Sequence, residues 1–105
     1  MLGIFARKKN EAIDAFAREL AGLLARRFTA RDNQAPADTK LDRKLGRALD
    51  EVYARAREFR AEKRLGVYGK ARLGNTFKWA LKELEYDEGF IEEVTRGLIV
   101  RLSGR

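Results

Sequence analysis

Residues 39–64 read TKLDRKLGRALDEVYARAREFRAEKR, the longest stretch of helical periodicity in the chain. Leu41, Leu45, Ala48, Leu49, Val52, Ala56 and Phe59 recur at intervals of three and four, which puts them on one side of a helix. Asp38 or Thr39 opens it, and it is expected to stop at Arg64, before Gly66. At about 1.5 Å per residue such a helix is about 39 Å long. A compact chain of this size has a diameter of about 34 Å. This helix therefore spans the molecule or overhangs it, unless it kinks at Gly46, its weakest point. Arg47, Glu51 and Arg55 follow one another at i,i+4 on its polar side and read as a solvated face.

On the N-terminal side, Asn10 is a candidate cap for a helix over about residues 11–28, with Ile13, Phe16, Ala17, Leu20, Leu23 and Leu24 as its apolar stripe. Residues 1–10 then form a tail that joins Leu2, Ile4 and Phe5 to Arg7, Lys8 and Lys9. Basic groups of that kind are attracted weakly to an anionic membrane surface, but a tail that caps the core or frays is the preferred reading. Residues 29–38 lack periodicity and hold the only proline, so they read as a loop.

On the C-terminal side, Leu73, Phe77, Leu81 and Leu84 mark a third helix, with a break expected at Gly74-Asn75 and Asn75 capping the longer piece. Asp87 caps a fourth, whose core positions are Phe90, Ile91, Val94, Leu98 and Leu102, widened by Ile99 and Val100. A strand over 98–102 would have no partner. The expectation is an all-α, single-domain bundle of about four helices with a long second helix.

Composition narrows the function. In 105 residues there are 23 Lys and Arg against 16 Asp and Glu, a net charge of +7, and neither Cys nor His. Disulfides, Cys/His metal sites, thiol and imidazole catalysis and helical Glu-x-x-His di-iron sites are all excluded. Ser103, the threonines and the lysines are the remaining nucleophiles, and Ser103 falls in the expected fraying tail. The acidic neighbours Asp50-Glu51, Asp87-Glu88 and Glu92-Glu93 point about 100° apart on a helix and do not converge. A non-enzymatic protein without cofactor or metal is expected. Without a membrane span or a secretory leader pattern, a cytoplasmic location is expected too.

One region departs from the background. Between Glu62 and Glu83 there is no carboxylate, while Lys63, Arg64, Lys70, Arg72, Lys78 and Lys82 supply six cations. Together with Asn75 and Trp79 these are the candidate polyanion contacts. Lys70, Gly74, Lys78 and Lys82 form an i,i+4 row along which a phosphate backbone has room to approach, and an exposed Trp79 beside it would suit stacking, although a Trp79 buried at the edge of the core among solvated lysines is the preferred reading. A helix-turn-helix reading of Leu65-Gly66 meets a first helix that is too long. Gly69 to Thr76 matches a phosphate loop except that Asn75 stands in place of the lysine, and no strand precedes it.

Two functions follow. The first is a helical interaction or assembly module that self-associates, using the overhang of the second helix and the wide apolar face of the fourth. The alternative is a small nucleic-acid-binding accessory protein using the Lys63 to Lys82 region.

Overall fold

A computed structural model describes residues 2–103, with side chains from residue 6 onward. Five helices follow one another: α1 (Leu2–Arg27), α2 (Ala30–Gln34), α3 (Thr39–Lys63), α4 (Val67–Glu83) and α5 (Glu88–Ser103). The four long helices close a ring in which α1 packs on α3 and α4, and α5 packs on the same two. No strand occurs among the described residues, and residues 98–102 belong to α5.

Cross-helix pairs give the directions. Phe16 stacks on Phe59 at 4.0 Å, and Arg27 pairs with Glu51, so α1 and α3 run antiparallel. Tyr53 reaches Val94 while Arg60 donates to the Leu102 carbonyl, which makes α3 and α5 parallel. Gly69 lies against Ile13 and Tyr86 donates to the Phe28 carbonyl, so α1 and α4 ascend together. Burial of the Tyr86 hydroxyl pushes its pKa up to about 12.

The expected stripes become the core. Ile13, Ala17, Leu20, Leu23 and Leu24 of α1, Ala48, Val52 and Ala56 of α3, Leu73, Phe77 and Leu81 of α4, and Ile91, Val94, Leu98 and Leu102 of α5 are buried. Leu84 is the exception and is exposed, because α4 ends at Glu83 and the chain turns through Glu85 at φ 68°.

Several boundaries differ from the sequence reading. Asn10 does not cap α1, which continues upstream to Leu2, so residues 2–10 are helix rather than tail. The side chains of Leu2, Ile4 and Phe5 lie outside the described residues. The 29–38 loop contains a helical turn, α2, held by reciprocal bonds between Thr29 and Asp32, each 3.0 Å. The left-handed residue closing α3 is Arg64 at φ 52°, and Gly66 instead precedes α4 as its N-cap. Gly74-Asn75 is no break, since α4 is continuous through it. Ser103 is the last residue of α5 rather than part of a frayed tail.

The first turns of α3 lie at the edge of the core rather than beyond it, with Leu41 and Leu45 partly buried against it. Thr39 to Arg47, the first nine residues of α3, include no buried residue, and the buried face begins at Ala48. Together with α1, whose described burial begins at Ile13, this stretches the molecule to 52 × 28 × 19 Å. No helix of the described residues is long and apolar enough to cross a membrane.

Candidate functional site

The outward face of α4 carries most of what the sequence singled out. Its inward positions Gly69, Leu73, Phe77, Ala80 and Leu81 are buried. Turning the helix by about 100° per residue sets Tyr68, Arg72, Asn75 and Trp79 together on the opposite side, within an arc of about 60°. Tyr68 is 64% exposed and Trp79 is 54% exposed, with Val67 on the flank at 86%. Three large side chains are thus left in water on this one helix face.

This face is held rigidly. Arg72 grips Asp14 of α1 with two hydrogen bonds of 2.9 Å and donates a third, 3.0 Å, to the Tyr68 hydroxyl. Thr76 adds a 2.9 Å bond to the same carboxylate. The Arg72 guanidinium, with help from Thr76, holds the Asp14 carboxyl below its ordinary value of 3.8 despite partial desolvation. A lowered carboxyl pKa contributes stability that is complete above the unfolded value and is lost as pH falls through the folded one. The wild-type protein is therefore expected to melt higher than Asp14→Asn at pH 6, with the gap closing as pH falls below 3.8. Thermal melts of both proteins between pH 2 and 6 check this, and a gap that stays constant would refute it.

Of the eight polyanion candidates, Arg72 is thus committed to an internal ion pair. Lys82 lies 5.0 Å from the Trp79 ring centre and 3.6 Å from Glu88. Lys63, Arg64, Asn75 and Lys78 are exposed, whereas Lys70 is half-buried. The row through Lys70, Gly74, Lys78 and Lys82 is not open to a phosphate backbone, because Gly74 is buried beneath Ile99. A methyl group on Gly74 would stand 2.5 Å from Ile99 Cδ1. The glycine serves the contact between α4 and α5.

A second charged feature escaped the sequence reading. A cleft of about 570 Å³ between the end of α1 and the start of α3 is lined by Arg26, Arg27, Lys40, Arg43, Lys44 and Arg47, with Ala48 and Glu51. Arg27 pairs with Glu51 at 3.1 Å and Lys44 with Asp32 at 3.0 Å. Its signal in the sequence was the spacing of Lys40, Arg43, Lys44 and Arg47, i, i+3, i+4 and i+7. That spacing was hidden by nearby acids that the fold turns elsewhere.

Comparison with known protein families, curated proteins and solved structures finds no match to this chain. The fold is an all-α bundle that carries an exposed aromatic helix face and a cation-lined cleft.

Proposed function

We propose that the protein is a non-enzymatic helical assembly module that self-associates through the outward face of α4. The observation that carries this reading is the outward row in which Tyr68, Asn75 and Trp79 are exposed around the half-buried Arg72. Trp, Tyr and Arg are the residue types that dominate binding energy at protein interfaces. The row is also self-complementary under a two-fold axis crossing α4 between Leu73 and Gly74. Antiparallel copies then face Tyr68 with Trp79 and Arg72 with Asn75, so that each contact occurs twice. In this arrangement the helix dipoles of the two copies oppose each other. The bonds from Arg72 to Asp14 and Tyr68 fix these side chains before association, which lowers its entropic cost.

Sedimentation equilibrium of the full chain is expected to show a monomer–dimer equilibrium. Trp79→Ala is expected to weaken it by about 2 kcal/mol or more, roughly 30-fold in dissociation constant. Because the chain has no cysteine, Asn75→Cys provides a single thiol near the axis, and oxidation is expected to trap a disulfide-linked dimer. A wild-type monomer at every concentration, or a dimer insensitive to Trp79→Ala, rejects the reading.

A further inference from the structure

We propose that the cleft between α1 and α3 is a binding site for the phosphate backbone of double-stranded nucleic acid. This is separate from self-association and uses none of the α4 row.

Six cations line the cleft against one carboxylate, Glu51, which is already paired with Arg27. Arg26, Lys40, Arg43 and Arg47 have no carboxylate within ion-pairing distance among the described residues, and all four are exposed. Lys40, Arg43, Lys44 and Arg47 share one side of α3 within an arc of about 100° and cover about 10 Å of its axis. Arg26 and Arg27 form the facing wall from the last turn of α1. The neighbouring structure supports this geometry. Asp32 holds Lys44, and Asp32 is itself fixed by the capping bonds with Thr29.

Convergence of like charges from two helices works against folding, and the part of α3 that bears them buries no residue of its own. Packing of Leu41 and Leu45 on the core accounts for the apolar side of these nine residues but not for the stripe of cations on their other side. An array of phosphates does, since duplex nucleic acid presents one negative charge per about 1.7 Å of axis.

The lining also discriminates among anionic partners. It has no aromatic residue, whereas single-stranded nucleic acid is held by stacking platforms. Leu41 and Leu45, the apolar residues of this part of α3, pack against the core, so no apolar face remains for a lipid surface. The lining holds no Asn or Gln, the side chains that read adenine, and its cations are spaced along the helix to meet successive phosphates.

The test is fluorescence anisotropy of a labelled 20-base-pair DNA duplex titrated with the full chain across a salt series. Neutralising four to six phosphates gives a slope of log affinity against log salt of about −4 to −5. The triple variant Lys40→Gln, Arg43→Gln, Arg47→Gln is expected to lose at least 30-fold in affinity and to flatten the slope by about 3. Circular dichroism of this variant is expected to match the wild type because all three positions are exposed, and Arg43→Gln alone is expected to lose about threefold. The matched variant Lys63→Gln, Lys70→Gln, Lys78→Gln is expected to stay within twofold. Unchanged affinity in both cleft variants, an equal loss in the matched variant, or tighter binding to phosphatidylserine vesicles than to the duplex overturns the proposal. Measuring both triple variants by sedimentation separates this result from dimerisation, because neither touches the Tyr68 to Trp79 row.

Discussion

Phe77→Ala is expected to cost about 3 to 5 kcal/mol, a third or more of the stability of a domain of this size. Phe77 is the largest fully buried side chain, 0% exposed, and it stands between Leu73 and Leu81 on the inward row of α4. The cost of a deleted core side chain depends on whether the walls can move in to fill the space. Here they are already in contact. A Cβ at Gly69 would lie 3.1 Å from Leu65 and 3.5 Å from Ile13, and Gly74 is pressed against Ile99. With α4 seated this closely on both neighbours, the cavity stays open and the loss falls toward the upper part of that range. Phe77→Leu keeps most of the volume and is expected to cost about 1.5 kcal/mol or less. Urea denaturation followed by circular dichroism measures both, and a loss below about 1 kcal/mol for the alanine variant would mean that α4 settles into the gap.

The same close approach explains one misreading of the sequence. Gly74-Asn75 resembles a helix break because glycine and asparagine are poor helix formers, a cost of about 1 kcal/mol for glycine. Packing reverses that preference, since only a residue without a side chain lets Ile99 reach α4, and α4 runs through unbroken. What periodicity encodes was legible: the inward residues of α1, α3, α4 and α5; the exposure of Trp79 was not, since a Trp beside an apolar row reads more readily as the edge of the core. Caps were less so. Asn10 has the chemistry of an N-cap, yet Ala6, Arg7, Lys8 and Lys9 upstream favour helix, and α1 continues through them. The capping pair Thr29 and Asp32 was present in the sequence, but α2 buries nothing and so shows no periodicity.

Charge was the least legible property, because a linear count weighs neighbours that folding separates. The window from Lys63 to Lys82 is rich in cations along the chain, but Arg72 turns to Asp14 and Lys82 to Glu88. Residues 37–66 carry six acids among nine bases and looked balanced. Of those acids Glu51 alone lines the cleft, and Lys40, Arg43 and Arg47 converge there with two arginines from another helix.

Glycine to alanine exchanges at Gly46 and Gly97 are expected to change stability in opposite directions. Both residues sit inside helices, where alanine is intrinsically better by about 1 kcal/mol. At Gly46 nothing lies within 4 Å of the added methyl, so Gly46→Ala is expected to stabilise by about 0.5 to 1 kcal/mol. At Gly97 the methyl falls on the Tyr53 hydroxyl and 3.0 Å from its ring carbon Cζ. That ring cannot withdraw cheaply. It is buried, its hydroxyl donates to the Val94 carbonyl at 3.0 Å, and the Arg101 guanidinium lies 4.4 Å from the ring centre. Overpacking costs about 1 to 3 kcal/mol and a disrupted buried hydrogen bond about 1 more. Against the helical gain, Gly97→Ala is therefore expected to destabilise by about 2 kcal/mol, which lowers the melting temperature by roughly 8 to 16 °C. Tyr53→Phe removes the atom nearest the methyl, so adding it to Gly97→Ala is expected to cost less than the two single losses combined. Additive losses, or a Gly97→Ala protein as stable as Gly46→Ala, would show that α3 and α5 move apart freely at this contact.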